Sequence, residues 1–512
     1  MRRNSSVLLA IIGPLLLIVG SVCYAQTTAP PSDGPVQGSL VTLINSGQYA
    51  FNALERLSAT ANQASYNALT SNPSASIYCN PQLVMPSGTC SSAVFLVFSN
   101  LRDLVQTANA LLANGQATRY SLNIDDQGLG NALRWTAAEE LSAPGTAATQ
   151  FSNAQFASVA SRITALRFGA TGFSVAGVSV EPNGDPAVAA VESHALGGGA
   201  SADSADIGTA SRWGGFLNGS FGWGNRAPSV LEDAFAFDSR DATLGVDYRL
   251  NRHLVLGAAA GYTNQRIDFN SALSVVGGGI HSDGGSFQVF ALYDWDRGQY
   301  ASMSIGVQRA SYDSTRLITY PSQNIAVSSV DALATGSTHS DAVTGTFEIG
   351  WALSHKAFGF EPYLSGDYQH IQLASFRESS VNIGGPDGGA PAGFDFDYSG
   401  QRITLLDSAL GARFQYTYSP RFGVVVAYAK AEYHHLFDNN PGTVISSYNA
   451  IASTGAAFDI PSDKPDSDFF QFAVGSSFVF EHGIQAFVQY QMSTGITNVS
   501  SHLISGGFRG AF

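Results

Sequence analysis

Charge is scarce in this sequence: Asp, Glu, Lys and Arg make up 12% of its 512 residues, about half the quarter usual in soluble domains. The charge present sums to −14, which excludes the basic footprint of a nucleic-acid binder. Histidine is missing from residues 1–191, so that part of the chain holds neither a Ser-His-Asp triad nor an imidazole-bound zinc. No Gly-x-Ser-x-Gly elbow appears anywhere. Beyond Val22 no apolar run approaches the roughly 20 residues of a membrane-spanning helix.

What is plentiful is glycine, at 54 residues, and phenylalanine, at 32. Mean hydropathy is nevertheless close to zero, at +0.05. Many aromatics with little charge and no long apolar run fit a chain in which apolar and polar residues alternate.

The N-terminus reads as an export signal. Arg2 and Arg3 precede the apolar stretch Val7 to Val22, and Cys23-Tyr24-Ala25 satisfies the small-x-small rule for cleavage between Ala25 and Gln26. A retained anchor would need about 18 unbroken apolar residues, whereas Gly13, Pro14 and Gly20 interrupt this run. Cleavage leaves Cys79 and Cys90, an even count in an oxidising compartment, which reads as a disulfide with two free thiols as the alternative.

From Trp213 onward, strand-like alternation recurs about every 25 residues, the signature of a transmembrane β-barrel. Leu244, Val246, Tyr248 and Leu250 share one face of their segment, opposite Thr243, Gly245, Asp247 and Arg249. Leu410, Ala412, Phe414, Tyr416 and Tyr418 likewise oppose Gly411, Arg413, Gln415 and Thr417. One face suits lipid, and the other, with Asp247, Arg249 and Arg413, suits a polar lumen. Short turns near Asn251-Arg252, Arg297-Gly298, Ser354 to Lys356, Ser419-Pro420 and Glu481 to Gly483 alternate with long loops at 227–235, 270–282, 319–336, 379–398 and 439–466, plus a connection near Asn498. This rhythm predicts about twelve antiparallel strands with the short turns periplasmic. The strands entering those turns end on Tyr248, Trp295, Trp351, Tyr418 and Phe480, the expected periplasmic aromatic girdle.

The region before the barrel changes period. Leu54, Leu57, Ala61, Ala64 and Ala68 step by three and four, as do Val97, Leu101, Leu104, Ala108 and Leu111, so both sets form helical stripes. Between them CNPQLVMPSGTC reads as a disulfide-closed connection. Further helices are expected at Leu129 to Leu141 and Ala154 to Leu166. Glu139-Glu140 reads as a solvated helix face, because adjacent helical residues diverge by about 100°. His434 and His435 are adjacent in a strand, so their rings are expected on opposite faces rather than together at a metal.

Residues 205–512 resemble the translocator domain of monomeric autotransporters. The stretches that carry the resemblance are ATLGVDYRL, HLVLGAAAGYT, FQVFALYDW, YLSGDYQH, LGARFQY and the closing GGFRGAF. LRWTAAEELS and FASVASRITALR are similar to the junction that precedes many such barrels. The resemblance implies a final strand in which Ile504, Phe508 and Phe512 form the signal read by the barrel-assembly machinery. Gly510 departs from the Tyr or aliphatic residue that many relatives carry. The β-rungs of large solenoid passengers are missing, as is the Gly-Asp-Ser-Leu block of the esterase branch.

The reading is therefore an all-β membrane barrel behind a small α-helical domain. The segments are a signal peptide (1–25), a helical passenger-like domain (26–169), a Gly/Ala/Ser-rich linker or lumen segment (170–208, with Ala187 to Leu196 able to thread the barrel) and the barrel (209–512). The expected function is a type V, autotransporter-type outer-membrane protein that translocates or displays its helical domain at the Gram-negative cell surface. The alternative is a pore or structural barrel that keeps the helices in the periplasm or lumen. No catalytic residue, metal or cofactor is expected. The expected partners are outer-membrane lipid, the general secretion system and the assembly machinery, with the barrel monomeric.

Overall fold

A computed structural model describes residues 39–112, 119–137, 140, 143–167, 173–175, 212–269, 275–295, 297–420, 423–440, 443–453, 455–464, 466–480 and 485–509. The barrel strands are β1 (Trp213–Arg226), β2 (Phe235–Arg249), β3 (Leu254–Phe269), β4 (Gly277–Asp294), β5 (Gln299–Tyr320), β6 (Val330–Trp351), β7 (Phe358–Leu373), β8 (Gln401–Tyr418), β9 (Gly423–Asn440), β10 (Asp468–Phe480), β11 (Gln485–Thr494) and β12 (Val499–Arg509). Each pairs antiparallel with its neighbours, and β12 returns to β1 through Val499↔Arg226 to Gly506↔Gly219, which closes a twelve-stranded barrel. Closure leaves no unpaired edge, the condition for placing a sheet in hydrocarbon.

The two faces of β5 show how the barrel meets its surroundings. Near the short turns its outward residues Met303, Ile305 and Val307 are exposed and apolar, while Ser302, Ser304 and Gln308 are buried inside. Nine residues, 299–307, match the nine to eleven that a tilted strand needs to cross a bilayer. Residues 309–320 then continue for roughly 40 Å of strand. Along that extension the outward side chains become Arg309, Ser311 and Asp313, and the inward ones include Ala310, Tyr312, Ile318 and Tyr320. Polarity inverts where the strand leaves the membrane.

This inversion accounts for the main correction to the expected loops. Segments 270–282 and 319–336 were expected as loops, yet β4 begins at Gly277, β5 runs to Tyr320 and β6 begins at Val330. Within 379–398 and 439–466, short strands Phe396–Tyr398, Thr443–Tyr448 and Phe458–Pro461 pair into a wall that Phe376–Asn382 joins to β6. A strand whose outer face is wet no longer carries the lipid-facing pattern.

Helices α1 (Ser39–Asn45), α2 (Ala53–Thr70), α3 (Ser92–Leu112) and α4 (Asp126–Trp135) sit at the long-connection end. Asn52 begins α2 through a reciprocal cap: its side chain accepts from the Glu55 amide while the Glu55 carboxylate accepts from its own. Asp125 caps α4 in one direction, its side chain accepting from the Gly128 amide. The disulfide Cys79–Cys90 closes the α2–α3 connection, both sulfurs being buried. The apolar stripe Val97, Leu101, Leu104 and Ala108 packs into a core that also holds Tyr320, Ala332, Phe394, Phe396, Tyr448 and Phe458 from the barrel's extensions. Helices and strands thus share one apolar core. Among the described residues no helix is long and apolar enough to cross a membrane, which bears on helices alone.

Candidate functional site

Helix α5 (Ala143–Arg167) runs down the inside of the barrel. Its first turns bury Ala143, Ala147, Ala148 and Phe151 against Phe235, Ile267, Ile280, Tyr312 and Ile371. Its last turns bury Val159, Ile163 and Leu166 against Phe216, Val255, Phe290 and Tyr363. The middle is polar on both sides. Gln155 Oε1 accepts from Thr243 (3.1 Å) and Ser286 (3.0 Å), Ser152 Oγ donates to Gln308 (2.9 Å), and Gln369 donates to Asn153 (2.7 Å). Asn218 donates to the Ser158 carbonyl at 3.0 Å. Gly261 makes room for Gln155, because a Cβ there would collide with its amide.

Two ion pairs fix the lower half. Arg162 donates from Nε to Asp247 Oδ2 at 2.8 Å, and Nη2 lies 2.6 Å from the same oxygen. Arg167 Nη1 donates to Glu361 at 2.6 Å, with its guanidinium 3.2 Å from the Tyr300 ring centre. Glu361 also accepts from Arg413 (2.6 Å), Arg413 pairs with Glu348 (2.8 Å), and the Tyr300 hydroxyl lies 2.6 Å from Glu348 and 2.8 Å from Glu361, with one proton to donate to either. Asp247 is 4% exposed. A buried charge is tolerable only when paired, and removing one partner costs about 3–5 kcal/mol. The register pairs Arg249 with buried Val255, on the inner face as the alternation requires.

Of the linker or lumen segment expected at 170–208, the described part is Phe173–Val175, parallel to the first residues of β1. Ala187 to Leu196 lies outside the described residues, as do Ala25, Gln26 and Phe512. A helix inside the barrel comes from the stretch expected within the N-terminal helical domain. Polar side chains spaced through FSNAQFASVASR were the available signal, since Ser152, Gln155 and Arg162 are all fully buried.

Glu140 also departs from its reading. It is 3% exposed rather than solvated and lies beside Arg316, Glu378 and Arg134; Glu139 is outside the described residues. Arg316, from the upper part of β5, pairs with Glu378 (2.7 Å) and donates to the Trp135 carbonyl at the end of α4 (3.3 Å). Arg134 meets Asp233, and the Tyr448 hydroxyl donates to Asn62 (2.8 Å). These bonds join helices to mouth.

The two adjacent histidines separate as the alternation predicts. His434 is buried against Asp407 (2.7 Å), while His435 is partly exposed against Asp468 (2.8 Å). Among the described residues no group of His, Cys, Asp and Glu could hold a metal ion.

At the short-turn end, aromatic rings gather on the outer face. Trp213 lies against Tyr248 at 4.9 Å, Tyr293 against Trp295 at 4.8 Å and Phe358 against Tyr416 at 4.8 Å. Trp351 is 46% and Tyr418 58% exposed. Phe480 ends β10, Ile504 is 44% exposed on β12, and Phe508 is a backbone position of the same strand.

No curated protein sequence matches the chain. Its structure is similar to the translocator domain of the autotransporter NalP from Neisseria meningitidis at 10% identity, over 58% of this chain and 87% of that one, with a TM-score of 0.41. The β domain of the Bordetella autotransporter BrkA gives 14% identity over 59% and 100%, at 0.39, and the transport unit of AIDA-I from Escherichia coli 10% over 60% and 94%, at 0.35. Residues 215–491, more than half of the sequence, match the family described as the autotransporter beta-domain. The chain belongs to the autotransporters, outer-membrane proteins with a C-terminal β-barrel.

Proposed function

We propose that the barrel carries its own helical domain to the cell surface and keeps it there as a docked cap, without enzymatic activity. The observation that supports this reading is the shared core: Val97, Leu101 and Leu104 of α3 pack with Tyr320, Phe396 and Tyr448 beyond the lipid-facing belt, at the end bearing the long connections. In outer-membrane barrels the long connections are extracellular. In this arrangement α5 descends from the cap through the lumen, and its polar and ionic contacts hold it against the wall. Export would use the general secretion system with cleavage between Ala25 and Gln26. Insertion would use the assembly machinery acting on Ile504, Phe508 and Phe512. Tyr248, Trp295, Trp351, Tyr418 and Phe480 would form the periplasmic girdle.

Thiol labelling of intact cells tests the placement. Thr60→Cys, on the exposed face of α2, should react with a membrane-impermeant maleimide before lysis, while Lys356→Cys in a short turn should react only after it. The cap should stay with the cells rather than appear in the medium. Labelling of Thr60→Cys only after lysis would favour a barrel that keeps its helices in the periplasm.

A further inference from the structure

The outer wall of the barrel is uneven. A groove of about 630 Å³ lies on its membrane-facing side, where β7, β8 and β9 meet at the short-turn end. The register explains its shape. Tyr416 pairs with Ala427 and Phe414 with Ala429, so two rings stand beside two methyl groups on the adjacent strand. On the other side of β9 the partners are Ser476 and Val474. Phe358 and Phe360 extend the aromatic wall, with ring centres 4.8 Å from Tyr416 and 5.0 Å from Phe414. Strand neighbours are about 4.8 Å apart, so a row of alanines beside a row of aromatics makes a trough along the strands.

The end of the trough has the opposite character. His355 lines its rim, and Lys356 follows in the tight turn to β7, both exposed. Lys356 adopts φ 57°, a left-handed conformation that Gly or Asn would occupy with less strain. A cation thus sits at a position where backbone geometry favours another residue. The groove therefore offers an apolar floor at hydrocarbon depth and positive charge at headgroup depth, on the side of the short turns.

We propose that this groove is a binding site for one phospholipid of the periplasmic leaflet, with an acyl chain along Ala427 and Ala429 and the phosphate at His355 and Lys356. The lining selects the occupant. Hydrocarbon is what meets this face of a membrane barrel, and the rim complements a phosphodiester. A lipid held this way fills the gap over Ala427 and Ala429, on the side of Phe414 and Tyr416 that Phe358 and Phe360 do not cover. The site depends on the barrel's place in the membrane and not on where the cap resides.

Native mass spectrometry of the full-length protein, extracted from outer membranes in a mild detergent, tests the site. The wild-type protein should retain one phospholipid mass per chain. Ala427→Phe/Ala429→Phe, which fills the trough, should lower that retention at least tenfold. Lys356→Glu, which leaves the trough intact, should lower it several-fold. Heat-modifiable migration checks that each variant has assembled, and if the double substitution does not assemble, Lys356→Glu decides alone. Wild-type protein without the adduct, equal retention in the assembled variants, a lipopolysaccharide adduct instead, or a dimer mass burying this face would each overturn the proposal.

Discussion

Arg162 on the lumen helix and Asp247 on β2 form an ion pair of 2.6 Å in which the arginine side chain is fully buried. Replacing either alone strands a charge inside the barrel. Arg162→Met or Asp247→Leu should each cost about 3–5 kcal/mol, seen as a lower temperature for loss of the heat-modifiable form. The double substitution should recover much of that loss, because no charge is left unpaired. A double variant as unstable as the worse single one would show that the pair acts through something other than mutual neutralisation.

The cap should respond to pH through Asp103 and Glu140. Burial raises the Asp103 carboxyl from 3.8 to about 7, opposed by Arg102, and burial likewise raises Glu140. In each case the folded state binds the proton more tightly than the unfolded chain. The stabilisation is therefore present at low pH and is lost as pH rises from about 4 through about 7. Protease digestion of the cap should be slower at pH 5 than at pH 8, and Asp103→Asn should flatten the difference. Faster digestion at pH 5 would reverse the sign and refute the assignment.

The disulfide should matter to the cap and the upper strands that share its core, and not to the membrane belt. Its cysteines are 11 residues apart, and closing so small a loop is worth roughly 3 kcal/mol in the chain-entropy model. Cys79→Ala should make α2 and α3 more protease-sensitive while the barrel still migrates as a folded species. Thiol labelling of denatured, unreduced wild-type protein should find no free cysteine.

Deleting Phe512 should reduce the amount of inserted barrel without affecting passage across the inner membrane, so protein should gather in the periplasm or be degraded there. Phe508→Asp should be worse, since a carboxylate nearer the bilayer centre adds a desolvation cost. Outer-membrane levels equal to wild type in both variants would remove the terminal strand's role as an assembly signal.

The legible part of the sequence was the part that faces lipid. Hydrocarbon on one side of a strand and water on the other impose a period of two, so Leu244, Val246 and Tyr248 announce a strand wherever they occur. Above the membrane the same strands turn Arg309 and Asp313 outward, and no rule of alternation separates that pattern from a polar loop. Helix α5 was legible as a helix but not as a lumen helix. Its partners Asp247, Gln308 and Glu361 lie far along the chain, and Ser, Gln and Arg on a helix read by default as solvated. Glu140 was misread for the same reason, because local geometry says where a side chain points and not what covers it.

The core shared by Leu101, Tyr320 and Phe396 also sets the unit of cooperativity. A segment boundary drawn through the sequence need not be a boundary in the energy. Apart from the mouth, the four helices would present that face to water and lose the apolar burial that holds them in place. Cap and upper strands should therefore melt as one body, with the membrane belt below as a separate and more durable one. Residues 39–137 made alone should remain a loose chain, which circular dichroism would reveal as weak, gradual unfolding without a transition.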